Sequence, residues 1–352
     1  MHILYTIDKK YLDIMLASIY SMVEKGGLKS IHFHIVTSGF DEEEKDKLEK
    51  FFNILPNVKY TFYRLEDYPI DDYGIPSWRG TQIANARLFF PSIIKEQNPD
   101  IDNLLYIDSD TLIKNDLSGL DSYNDNTVCA VLSDGTRKKE CIDRLGVDRY
   151  YNSGVIYFNL NKWESVDFEH EIKQFNKQSI PLIYPDQDIF NLLLKDEIKT
   201  IPSRYNLSLY PLILSPLELK LYCRKKQIPA KELMKEKDLA VILHSIGLFN
   251  IKPWHRNNIN PLTEDFKKYM EVINPDYQLE ELSRLKKIIS ISPTLFKTII
   301  IFRANLPKGL DDFARYLSLT LQGASERSLF QKVKKKKDWL KSIFFIYKES
   351  VF

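Results

Sequence analysis

Two periodicities alternate through the first 65 residues, and that alternation leaves few folds open to the chain. His2 to Ile7 reads as a strand, and Leu12, Met15, Leu16, Ile19, Met22 and Val23 follow it at helical spacing. Ile31 to Val36 is a second strand closed by Ser38-Gly39. Asp41 to Phe52 is an acid-started amphipathic helix, and Val58 to Leu65 is a third strand. Strands alternating with helices predict an α/β fold with a mostly parallel central sheet covered on both faces. His32 and His34 share one face of their strand, but with no third ligand nearby they read as structural or surface residues.

The chemistry concentrates in Leu104-Leu105-Tyr106-Ile107-Asp108-Ser109-Asp110-Thr111, an apolar run ending in two carboxylates. Read as a strand, it points Asp108 and Asp110 the same way at its carboxyl end, where ligands bind in open α/β sheets. Two such carboxylates repel, and a divalent cation between them resolves the repulsion. Upstream, Asp71 to Gly80, with Trp78 inside it, is turn-rich. Thr81 to Ile94 then predicts a helix carrying Arg87 and interrupted by Pro91. Downstream, Val128 to Leu132 and Tyr151 to Leu160 are further strands, and Ser153-Gly154 permits close backbone approach. Pro185-Asp186-Gln187-Asp188 opens a helix through Leu194, with acids complementing the helix dipole. Leu239 to Leu243 is a strand ending in His244, followed by Gly247 and by Lys252-Pro253-Trp254-His255. That order suits a metal ligand beside an anion-binding cation.

Neither GxGxxG after the first strand nor GxxxxGK[ST] occurs, so a phosphorylated ligand must be held by a metal and side chains. Asp108, Asp110 and His244 offer two oxygens and one nitrogen, a set suited to Mn²⁺ or Mg²⁺. Cys129, Cys141 and Cys223 lack CxxC spacing, which argues against a cysteine zinc site and for a reduced, cytoplasmic compartment. An acid arrives too early at the start for a signal peptide. No apolar run approaches the ~18 residues that span a bilayer, so neither secretion nor a transmembrane anchor is expected.

The net charge of +2 conceals a division. From Arg284 onward 15 Lys and Arg face 5 Asp and Glu, leaving a body of net charge −8 before a tail of +10. Leu282, Leu285, Ile288 and Ile289 share a helical face among basic residues. Lys334 to Lys337 precede Trp339, Leu340, Ile343, Phe344, Tyr347 and Val351 at helical spacing. Apolar aromatic faces beside lysine clusters describe helices lying on an anionic membrane, with packing on the body or on a partner chain as the competing reading.

Six pieces in order, over roughly residues 3 to 255, resemble glycosyltransferase family 8, the galactosyl- and glucosyltransferases of bacterial surface polysaccharides and their glycogenin relatives. They are Thr6-Ile7-Asp8, Arg87-Leu88, Tyr106-Ile107-Asp108-Ser109-Asp110, Asn152-Ser153-Gly154-Val155, Asp186-Gln187-Asp188, and His244 through Gly247 to Lys252-Pro253-Trp254. The resemblance implies a GT-A fold over residues 1–257, with 258–352 a helical, basic and aromatic region for membrane association. It also implies a UDP-hexose donor, galactose or glucose, moved with retention to an oligosaccharide or glycolipid acceptor by an enzyme on the inner face of the cytoplasmic membrane. No nucleic-acid partner is expected. By position, Asp8 and Thr6 would serve the uracil. Asp108, Asp110 and His244 would ligate Mn²⁺, with Asp108 also near the ribose and Ser109 among the residues binding the donor. Arg87, Asn152, Ser153 and Asp186 would hold the sugar, Gln187 would lie beside the anomeric carbon, and Gly247 and Lys252 would bind the diphosphate. Four residues separate Gly247 from Lys252 where the family usually has two. Two other readings stand beside this one: a haloacid-dehalogenase-type phosphatase with Asp108 as nucleophile, and a non-catalytic glycan- or membrane-binding relative.

Overall fold

The computed structural model describes residues 1–305 apart from 78–79, 134–137, 165, 167, 176–179, 181, 247–250, 283–286 and 288–291. Gly247, Trp78 and the basic stripe around Lys334 to Lys337 therefore lie outside the described residues. Ten strands occur among them: β1 (His2–Asp8), β2 (Ile31–Ser38), β3 (Val58–Arg64), β4 (Asn103–Ile107), β5 (Thr111–Ile113), β6 (Val128–Leu132), β7 (Tyr151–Asn159), β8 (Ile198–Thr200), β9 (Leu207–Ser208) and β10 (Ile242–His244). Seven form a central sheet in the order β3-β2-β1-β4-β7-β6-β8, in which β7 alone runs against its neighbours. This is the expected mixed α/β architecture. Strands β5, β10 and β9 form a second small sheet; the sequence pattern announces the strand into His244, which spans Ile242–His244, but not β5 and β9, because segments of two or three residues carry no readable period.

The period of two explains how the sheet buries both faces. Leu4, Val36, Tyr106 and Ile156 join Leu88, Phe90 and Ile94 of the helix Ala86–Gln97 on one face. Ile3, Tyr5, Ile7, Phe33, Ile35, Leu105 and Ile107 meet Leu12, Met15, Leu16 and Ile19 of the helix Leu12–Lys25 on the other. Each such side chain contributes about 1.5–3 kcal/mol relative to an exposed one. A third cluster joins Leu207, Leu209 and Leu243 to Trp254, Phe266, Met270, Phe296 and Ile300, so the helices Thr263–Ile273 and Pro293–Asn305 pack against the same body.

The acid-started helix runs Glu42–Asn53, and Asp41 and Glu44 close a reciprocal capping box at its start. The helix expected from Thr81 begins instead at Ala86. Thr81 accepts from the Ile83 amide at 3.2 Å, and the Asn85 side chain donates to the Pro76 carbonyl at 3.2 Å, bonds that divert residues 81–85 from helical pairing. Pro91 does not break this helix, whose burial of Leu88, Phe90 and Ile94 outweighs one missing amide donor.

Candidate active site

Asp108 and Asp110 lie past the end of β4, in the turn leading to β5, and not within a strand as the sequence reading supposed. Their convergence comes from that turn. The Asp108 amide donates to the Gly154 carbonyl at 2.7 Å, Thr111 Oγ1 donates to the Asp108 carbonyl at 2.9 Å, and the Ser245 amide donates to the Asp110 carbonyl at 2.9 Å. Because β7 runs antiparallel to β4, its first residues, Asn152 to Gly154, stand beside the carboxyl end of β4. Strand β10 pairs antiparallel with β5 in the register His244 opposite Thr111, which carries the imidazole to the diacid from 134 residues away.

One oxygen from each aspartate and one nitrogen of His244 lie within 4.8 Å of one another. His244 Nε2 is 3.0 Å from Asp110 Oδ1 and 3.6 Å from Asp108 Oδ2. Asn206 donates its amide N–H to Asn152 Oδ1 at 2.8 Å and so turns its oxygen toward His244 Nδ1, also at 2.8 Å. The imidazole therefore donates from Nδ1 and keeps the Nε2 lone pair for the carboxylate side. A lone pair facing two carboxylates is repulsive unless a proton or cation lies between them, and this donor set fits a divalent metal. The approach admits no extra atom: a Cβ on Gly154 would fall 2.2 Å from His244 Cε1 and 2.6 Å from Asp108 Oδ2.

Two cations flank the acids. Lys252, buried, joins its ammonium to Asp110 and to the Ser245 carbonyl, so it reaches the site despite the longer segment after Gly247. Burial alone would raise the Asp110 carboxyl, but the Lys252 ammonium outweighs it and holds that group well below the usual range. Arg87 lies 3.1 Å from Asp108 Oδ1 and 3.3 Å from Asp186 Oδ2, donates to the Ser153 carbonyl at 2.9 Å, and stacks over the Tyr106 ring at 4.5 Å. Burial opposes its charge, yet Asp108, Tyr106 and Asp186 raise its pKa further. Asp186, which accepts from Ser153 Oγ at 3.0 Å, is raised by burial and by the Asp108 charge against the pull of Arg87.

Gln187 is held at every polar atom. Its Oε1 accepts from Asn152 Nδ2 at 3.0 Å and from the Ser153 amide at 3.1 Å, and its Nε2 donates to Tyr150 Oη at 2.9 Å. Tyr150 donates in turn to Asp188 at 2.6 Å, and Asp188 also takes Arg144 at 2.9 Å and the amides of Ile183 and Tyr184 at 2.7 and 3.0 Å. Thr6 Oγ1 lies 3.3 Å from Tyr106 Oη, which donates to Asp108 at 2.6 Å. Asp8 closes β1 at the same sheet edge and accepts from the Lys10 amide at 3.0 Å, while Ser109 lies partly exposed in the turn between the two aspartates.

All the expected site residues within the described chain thus meet at one end of the sheet. The sequence reading missed Asn206, Tyr150 and the bonding role of Tyr106. Tyr106 could have been found, since it sits two positions before Asp108. Asn206 carries no local signal.

The sequence profile described as glycosyl transferase family 8 matches residues 2–258. A lipopolysaccharide 1,2-glucosyltransferase of Escherichia coli K12 is 28% identical over 279 residues, covering 77% of this chain and 78% of its own. A lipopolysaccharide 1,3-galactosyltransferase of Salmonella typhimurium LT2 is 24% identical, covering 75% and 76%. Among solved structures, the galactosyltransferase LgtC in complex with donor and acceptor sugar analogues superposes with a TM-score of 0.61 at 23% identity, over 78% of this chain and 96% of that one. Its fold is the GT-A arrangement expected here. A match of this extent removes the phosphatase reading of Asp108, and the chain belongs to glycosyltransferase family 8.

Proposed function

We propose that this glycosyltransferase moves a hexose, glucose or galactose, from a UDP-sugar to a hydroxyl of a cell-surface glycan or glycolipid with retention of configuration. The observation that carries the reading is the convergence of Asp108, Asp110 and a tautomer-fixed His244 at the carboxyl end of the sheet, with Lys252 and Arg87 on either side. These three residues would hold Mn²⁺ or Mg²⁺. Bound there, the cation would supply charge neutralisation for the departing diphosphate.

The protein's own groups divide the remaining work. Thr6 and Asp8 receive the uracil at the end of β1. Lys252, with Gly247 ahead of it, answers the diphosphate charge. Arg87, Asn152, Ser153 and Asp186 hold sugar hydroxyls. Both bonds to Gln187 Oε1 orient it and leave it a poor nucleophile, which supports attack and departure on one face of the sugar. In that route the acceptor hydroxyl's oxygen bonds to the anomeric carbon as the diphosphate leaves with the hydroxyl proton.

Residues 1–257 carry this chemistry, and 258–352 serve attachment to the inner face of the cytoplasmic membrane. Supporting that attachment, Leu217 and Leu221 on the helix Pro216–Tyr222 and Leu295 and Phe302 on the helix Pro293–Asn305 are exposed on two helices packed together. The basic tail follows directly. Among the described residues no helix is long and apolar enough to cross a membrane. A screen of UDP-sugars with Mn²⁺ or with chelator, read by UDP release, tests the reading. Turnover of UDP-glucose or UDP-galactose that needs the metal is expected, and metal-independent turnover, or none with any UDP-sugar, would overturn it.

A further inference from the structure

At the opposite end of β1 and β2, about 20 Å along the strand from Asp8 at 3.3 Å per residue, a second cluster of ligating side chains goes unused by this chemistry. His32 and His34 wanted a third ligand in the sequence reading, and strand pairing supplies it. In the parallel register of β1 with β2, His2 stands opposite His32, and Leu4 opposite His34. One nitrogen from each of the three rings lies within 4.8 Å of the others. The His32 and His34 rings stack at 4.4 Å between centroids, and His2 lies 5.1 and 5.4 Å from them.

The rings are also oriented from outside. His34 Nδ1 is 2.9 Å from Tyr63 Oη, and His32 Nε2 is 2.8 Å from Thr61 Oγ1. A ring that donates one N–H to an oxygen keeps the lone pair of its other nitrogen for a ligand, as metal-bound histidines do. His34 Nε2 faces His2 Nδ1 at 3.1 Å, inside the cluster. Burial lowers all three, to about 4 for His2 and about 3 for His34, so the rings are neutral at neutral pH. His34 is fully buried, while His2 and His32 keep partial access to solvent.

We propose that His2, His32 and His34 form a second metal site, separate from the Asp108, Asp110 and His244 set, that takes a late first-row divalent cation of the Zn²⁺, Ni²⁺ or Cu²⁺ class. The ligand chemistry selects that class. Three imidazoles without a carboxylate suit Zn²⁺, Ni²⁺ and Cu²⁺, whereas Mg²⁺ and Ca²⁺ require oxygen. Lys59 stands close enough to oppose a cation, so only an ion with strong nitrogen bonds overcomes it. Solvent fills the coordination positions left open beside the two partly exposed rings. A bound ion ties the start of β1 to β2 and stabilises the folded chain by mass action.

The test uses the full chain stripped of metal. Calorimetric titration with Zn²⁺ should show two classes of site in the wild type. In His2→Gln and in His32→Gln one class should weaken by at least about tenfold, while Mn²⁺-dependent UDP release stays unchanged. Cu²⁺ bound to the wild type should give a magnetic-resonance spectrum with coupling to three imidazole nitrogens, more than the single one His244 can offer. This spectrum needs no variant and decides the matter if His32→Gln fails to fold. Identical Zn²⁺ isotherms for wild type and His2→Gln, or coupling to one imidazole only, would overturn the site without touching the proposed activity.

Discussion

Gly154→Ala tests the active site by geometry alone. The added methyl would lie 2.2 Å from His244 Cε1, where ordinary contact begins at 3.4 Å, so the imidazole must retreat by about 1.2 Å or the strand must shift. The strand is poorly placed to move, because β7 pairs with β4 on one side and β6 on the other. His244 is fully buried and tied to Asn206, so its retreat also breaks the 2.8 Å bond that fixes its tautomer. The glycine's φ is not left-handed, which leaves steric displacement as the cause. Misplacement of a reacting group by about 1 Å costs on the order of 10²-fold in rate. Overpacking of this kind costs about 1–3 kcal/mol of stability, which a chain of this size shows as a fall of several degrees in Tm. UDP release from UDP-glucose and UDP-galactose should be followed against Mn²⁺ concentration, with Tm measured in parallel. We expect turnover reduced about a hundredfold and a higher half-saturating Mn²⁺. A variant with wild-type turnover and wild-type Mn²⁺ dependence would refute the claim that this approach holds the three ligands in register.

Asn206→Ala frees the His244 tautomer and should weaken Mn²⁺ binding about 10- to 100-fold with little change in Tm, checked by Mn²⁺ titration of UDP release. Gln187→Ala should lower kcat more than it raises KM for the donor, because its proposed place is beside the reacting carbon; a change in KM alone would reject that place. Truncation after Asn305 preserves the buried Phe296 and Ile300, so it should keep donor hydrolysis while losing sedimentation with anionic vesicles, and undiminished sedimentation would count against the tail. Burial raises the thiol of Cys129 to about 12 and that of Cys141 above its usual value, so at pH 8 both stay protonated. A thiol reagent such as Ellman's should reach them only after denaturation.

Local pattern carried a large share of this protein into view. Strand β6 runs over the expected residues, and β1 and β2 lie within a residue or two of theirs, because alternation and helical spacing are properties of neighbours in the chain. The diacid, Gln187 and His244 were legible for a related reason, since each stands at a strand end or helix start that short-range order announces, whereas Arg87 stood out only through the family resemblance because its helix starts at Ala86 and not at Thr81. Their mutual distances were not. Arg87 meets Ser153 across 66 positions and Lys252 meets Asp110 across 142, contacts set by sheet order and by the single reversed strand β7. Asn206 shows the limit most clearly: nothing beside it in sequence marks it, yet it fixes the proton on His244. The three histidines at the far sheet end make the same point. Two of them shared a face by period, and the third arrived only when β1 lay parallel to β2, because hydrogen-bond register between strands, unlike spacing within one, is settled by burying both faces of the whole sheet at once.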